Sequence, residues 1–156
     1  MARLDEAVRQ FLDRKRIAVA GVSRDGAQPA NAIYKKLRGA GYEVFAVNPA
    51  TSEIEGGPCY PNLAAIPGGV EAVVIATPPG AAEGLVREAA ALGVHHVWMH
   101  RSFGQGSVSA SATALGRENG LSVIDGACPM MYVNPDVGHR CIRWILKVTG
   151  GLPKAH

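Results

Sequence analysis

The sequence predicts an α/β fold: an open parallel sheet of about five strands with helices on both faces. Two observations predict it. Short, continuous apolar runs alternate with segments whose apolar residues recur at helical spacing. Strands buried on both faces are what parallel sheets require, and helical crossovers connect them. The opening unit is the most telling. Arg16-Ile-Ala-Val-Ala-Gly-Val-Ser-Arg24 leads an apolar strand into a glycine loop and a helix, and Val44-Phe-Ala-Val-Asn-Pro49 follows as a second strand. This is the βαβ start of a Rossmann-like nucleotide-binding domain.

The elements follow in order. Leu4, Val8, Phe11 and Leu12 give an amphipathic helix over about residues 3–14. Ile17 to Gly21 is the first strand, and Val22 to Gln28 a polar loop. Pro29 suits the first position of a helix, whose apolar face is Ala30, Ile33, Tyr34 and Leu37. Gly39 and Gly41 end it. Tyr42 to Val47 is the second strand. Residues 50–69, rich in Gly and Pro, read as a long connection holding at most one short edge strand. Ala72 to Thr77 is the third strand, stopped by Pro78-Pro79-Gly80. A helix carrying Ala82, Leu85, Val86 and Ala89 follows, then a fourth strand from His95 to Met99. Ser107 or Ser109 caps a helix ending near Asn119-Gly120, and Leu121 to Asp125 is the fifth strand. Val137, Cys141, Ile142, Ile145 and Val148 mark a C-terminal helix.

Bulk properties narrow the function. A chain of 156 residues is read as one domain. With 16 Lys and Arg against 13 Asp and Glu, the net charge is +3, enough for a small anion and too weak for nucleic acid. No apolar run reaches the ~18 residues of a membrane span, and the N-terminus lacks a signal-peptide core. Three cysteines, an odd number, point to reduced thiols and a cytoplasmic setting.

The first loop carries the chemistry. Gly21 lets the backbone approach a ligand, Val22 follows it, Ser23 offers a hydroxyl and Arg24 a guanidinium for phosphate. Asn31 adds an amide in the first helical turn. Strand ends bring Val47, Asn48 and Pro49, and Ala76, Thr77 and Pro78, to the same crevice, where apolar walls and free backbone groups suit an adenine. Trp98 fits either the core or the pocket wall; Trp144 reads as core. The second and third fingerprint glycines of dinucleotide sites are missing. Asn48 stands where an NAD site carries an acid for the ribose.

Candidate chemistry is thin. His100, beside Arg101 at the end of the fourth strand, reads first as a loop histidine and second as a general base; no acid pairs with it in the sequence. Cys128, His139 and Cys141 match no zinc spacing. Cys128 reads as a small apolar filler, or as a thiol able to exchange with a ligand thiol if its pKa is low. His95-His96 and Lys35-Lys36 read as solvated pairs. Neither a catalytic residue nor a metal site is assigned.

Ala18-Val-Ala-Gly-Val-Ser23, Gly41-Tyr-Glu-Val-Phe-Ala-Val-Asn-Pro49, Glu53-Ile-Glu-Gly56, Cys59-Tyr-Pro-Asn-Leu63, Val97-Trp-Met99 and Gly120-Leu-Ser-Val123 with Cys128-Pro-Met-Met131 together resemble the CoA-binding domain family. This family includes the N-terminal Rossmann-like domain of the succinyl-CoA synthetase α subunit. The resemblance covers nearly the whole chain and implies coenzyme A or an acyl-CoA as ligand. It implies that Gly21-Val22-Ser23-Arg24 takes the phosphates. Val47, Asn48 and Pro49 would then wall the adenosine, opposite Ala76, Thr77 and Pro78. The chain departs from the family at Met99-His100-Arg101-Ser-Phe-Gly104, where many members carry a glutamine and glycine, and in the polar stretch Tyr132 to His139. Two alternatives stay open: a small NAD(P)-dependent oxidoreductase or redox sensor, and an acyl-CoA-responsive module acting through a protein partner.

Overall fold

A computed structural model describes residues 2–153. Among these residues, seven strands form one sheet in the order β3-β4-β2-β1-β5-β6-β7. They are β1 (Arg16–Ala20), β2 (Glu43–Val47), β3 (Glu53–Ile54), β4 (Gly57–Tyr60), β5 (Ala72–Ile75), β6 (His96–Met99) and β7 (Ser122–Asp125). Every pairing is parallel except β3 with β4. The five expected strands are present. The connection 50–69 corrects the expectation of at most one edge strand: it contributes two. Gly56, at a φ of 73°, turns the chain so that β4 lies beside β2 and β3 pairs back on β4.

The helices are α1 (Ala2–Leu12), α2 (Pro29–Gly39), α3 (Pro79–Ala91), α4 (Ala110–Glu118) and α5 (Val137–Thr149). Strand parity sorts the core into two layers, because successive side chains point to opposite faces. Ile17, Val19, Val74, Trp98 and Ile124 meet α1 and α2 on one face. Ala18, Ala20, Val73, Ile75, Val97 and Met99 meet α3 and α4 on the other. Helix ends follow their sequence signals. Pro29 starts α2, the Ser109 hydroxyl accepts from the Ala112 N–H, and Asp136 accepts from the His139 N–H at the start of α5.

Trp98 corrects the reading of a pocket wall. It is fully buried on the α1 side, and its Nε1 donates to the Gly126 carbonyl at 2.8 Å. The rings of Phe11 and Tyr132 meet it edge-on at 5.3 and 5.7 Å. The C-terminal helix also turns differently from expectation. Ile142 and Leu146 pack on the core, while Val137, Cys141, Trp144, Ile145 and Val148 face outward. Trp144 is 66% exposed, so it is not a core residue.

Phe11 closes the aromatic stack beneath β6. Phe11→Ala should lower unfolding free energy by about 3–5 kcal/mol, the range for emptying a buried aromatic site. Urea denaturation followed by circular dichroism measures this; a loss below about 1 kcal/mol would mean that the stack carries little of the fold.

Candidate functional site

The strand order reverses direction between β1 and β5: the chain leaves β1 for β2 on one side, and β5 leads to β6 on the other. Loops leaving these two strands part company and open a crevice at their C-terminal ends, where open α/β sheets bind ligands. Gly21 lies at its centre. Its N–H donates to the Val47 carbonyl at 3.1 Å, and its φ of 101° is one that side-chain-bearing residues rarely adopt. A Cβ there would stand 2.8 Å from the Ala76 carbonyl carbon and closer still to the oxygen. The β1 and β5 ends therefore touch backbone to backbone.

Beyond Gly21 the loop is held from below. Val22 is buried, and its carbonyl accepts from Asn48 Nδ2 at 2.9 Å. Asn48 Oδ1 in turn accepts from the Ala50 N–H at 2.8 Å. Asn31 is fully buried and grips Ser23 twice: Oδ1 accepts from the Ser23 N–H at 3.0 Å, and Nδ2 donates to the Ser23 carbonyl at 2.7 Å. Nδ2 also donates to Glu55 Oε1 at 2.7 Å, and Lys35 closes on the other oxygen at 3.2 Å. That amide contact, ahead of the lysine, holds the Glu55 carboxyl below its ordinary pKa. Asn31 is thus a positioning residue for the loop.

Two clefts meet at Gly21, Thr77 and Pro78. The smaller, about 390 Å³, is walled by Val47, Asn48 and Pro49 on one side and Thr77 and Pro78 on the other. The larger, about 720 Å³, runs from Ser23 and the start of α2 to His100, Ser102 and Cys128. Gln28 leaves the N-terminus of α2 without a side-chain cap, although its carbonyl accepts from the Asn31 and Ala32 N–H groups at 3.0 and 3.4 Å, and Gln28, Pro29 and Ala32 line this cleft. Ala76 also lines it. Arg24 does not: it is exposed and lines a third cleft, of about 480 Å³, with residues 53–56. Trp98 lines none of the three. Sequence reasoning missed Pro61, Asn62, Leu85 and Glu88 on the small cleft and Phe103 and Met130 on the large one. Pro61 and Asn62 directly follow β4, so the rule that ligands sit at strand C-termini reaches them once β4 is known.

His100 directly follows β6, with its N–H bonded to the Ile75 carbonyl at 2.8 Å. Its Nε2 lies 3.4 Å from Ser102 Oγ. Burial, then the nearby His139, pushes its pKa below the ordinary histidine value. Burial likewise pushes the Cys128 thiol up, against a lowering contact from Ser102. Both groups are therefore neutral at physiological pH, and Cys128 is no activated thiolate.

A parallel α/β sheet with a glycine loop at its switch point and a cleft on either side defines a Rossmann-like domain. A model of the CoA binding domain matches residues 15–134, and the chain belongs to this family. Over 64 residues it is 42% identical to acetate–CoA ligase (ADP-forming) I of Archaeoglobus fulgidus, a stretch covering 41% of this chain and 9% of the ligase. It is 29% identical over 122 residues to the uncharacterized protein YneT of Bacillus subtilis, covering 78% of this chain and 87% of that one. A hypothetical protein from Pyrococcus horikoshii has a solved structure with a TM-score of 0.74 and 31% identity, covering 81% of this chain and 87% of the other. Among the described residues no helix is long and apolar enough to cross a membrane.

Gly21→Ala should destabilise the fold by about 1–3 kcal/mol from backbone strain alone, with the Ala76 clash added, as a shift in urea midpoint. Titration gives a second expectation. The unfolded chain protonates His100 near pH 6.5, above its depressed value in the fold. Stability is then full above this pH and is lost as pH falls below it. His100→Gln should flatten the decline between pH 7.5 and 5.5, leaving the share of the similarly depressed His96. An unchanged slope would mean that His100 titrates alike in both states.

Proposed function

We propose that this protein binds coenzyme A or an acyl-CoA, as a binding module with no complete catalytic site of its own. The observation that carries the reading is the pair of clefts joined at Gly21 over the uncapped start of α2. In this reading the adenosine lies in the small cleft against Val47, Asn48, Pro49, Thr77 and Pro78. The phosphates lie at the Gly21–Arg24 loop and the α2 N-terminus, where the helix dipole favours negative charge. The pantetheine arm enters the large cleft toward His100. Membership in the family supports CoA over other nucleotides.

Asn48 argues against NAD. Both ends of its side chain are engaged by backbone, and it offers no carboxylate to a ribose diol. Arg24 flanks the phosphate loop on an exposed turn, free to swing to a phosphate at the rim.

Calorimetric titration with CoA, NAD and NADP should show CoA binding tightest; NAD binding tightest would overturn the proposal. Arg24→Ala should weaken CoA by about 1.5–3 kcal/mol, the range for hydrogen bonds to charged groups. Unaltered affinity would remove Arg24 from the site and leave the phosphates to the backbone.

A further inference from the structure

The far end of the large cleft differs in chemistry from its phosphate end. Among the described residues, its lining includes no Asp, Glu, Lys or Arg. The polar side chains there are His100, Ser102 and Ser107, whose N–H is bonded to the His100 carbonyl, and Phe103, Cys128 and Met130 supply the apolar walls. His100 is only 9% exposed, and among the described residues its one side-chain partner is the Ser102 hydroxyl at 3.4 Å, a long contact. The ring is therefore under-bonded and faces a cavity.

The nearby charges do not change this. His139, the group whose charge reaches His100, has its Nδ1 2.8 Å from Asp136 Oδ2. Asp136 sends a negative field toward Cys128, raising its pKa further. Arg101 follows His100 directly, but its guanidinium lies against Gly126, within 3.3 Å of where a Cβ there would stand, and it does not line the cleft.

An occupant of this end meets hydrogen-bonding capacity, apolar walls and no compensating cation. Phe103 is 64% exposed, so an occupant is only partly withdrawn from water; an ionised carboxylate loses hydration there with no cation in return, whereas a carbonyl oxygen needs one donor and an aliphatic group needs none. We propose that the cleft selects a neutral, short aliphatic acyl thioester of CoA and rejects acyl groups that end in a carboxylate. His100, with Ser102, is the specificity-determining pair: an N–H or O–H from it meets the thioester carbonyl, while Phe103 and Met130 cover the alkyl end. The inference rests on the CoA reading above and names the ligand class within the same site.

Calorimetry with propionyl-CoA, free CoA and succinyl-CoA tests it at pH 7.5. Propionyl-CoA should bind about tenfold tighter than succinyl-CoA or better, with free CoA between. Met130→Lys, at a half-buried rim position, supplies the missing cation and should narrow the propionyl-to-succinyl ratio at least about threefold. His100→Leu should lower the ratio of propionyl-CoA to free-CoA affinity at least about threefold, and an unchanged ratio removes His100 from the acyl end. Succinyl-CoA binding as tightly as propionyl-CoA overturns the selection. Propionyl-CoA binding no tighter than free CoA also overturns it, by placing the acyl group outside the cleft. If no CoA species binds at all, the CoA reading itself has failed, a result distinct from equal binding by all three.

Discussion

The grip of Asn31 on Ser23 is the constraint on which the site depends. One fully buried amide uses both of its ends on a single residue of the β1–α2 loop and spends its remaining proton on Glu55. A buried amide left half-bonded is unfavourable, so loop, helix and β3–β4 hairpin are fixed together. Lys35 extends the chain of contacts to the outer face of α2. The loop backbone is thereby shaped before any ligand arrives, which reduces the ordering that binding requires. The Asn48 bond to the Val22 carbonyl does the same from the β2 side.

Much of the architecture was legible because parallel strands announce themselves as continuous apolar runs. The same property hides which way their side chains point. Trp98 sits in such a run, where Val97 and Met99 are equally apolar, so its face is set only by pairing. Val74 lies opposite Trp98, and Ile124 opposite it on the other side, and all three join the α1 layer. Helix α5 posed a related ambiguity. It has apolar residues around most of its circumference, and the larger stripe, including Trp144, faces outward. The smaller pair, Ile142 and Leu146, makes the packing. The β3–β4 hairpin has too few residues for alternation to register.

At the site, the crevice between the glycine loop after β1 and the strand ends at 47–49 and 76–78 was readable, since a strand followed by glycine and a helix has few physical uses. Roles were less so. Asn31 was expected to reach toward a ligand, and the fold turns it toward the loop instead. A short polar side chain in a first helical turn can serve either purpose, and burial decides. The neutral far end of the large cleft depends on Met130 and Phe103, which belong to loops distant in sequence.

The two tryptophans stand in opposite surroundings, one sealed against Phe11 and hydrogen-bonded to Gly126, the other on the outer face of α5. The unlabelled chain therefore carries two optical probes with separate signals. Trp98 emits from a shielded setting that lasts only while the sheet interior is intact. Trp144 emits from water and is open to an aqueous quencher such as iodide. Quenched and unquenched fluorescence together distinguish an event on the outer surface of α5 from one in the interior of the sheet.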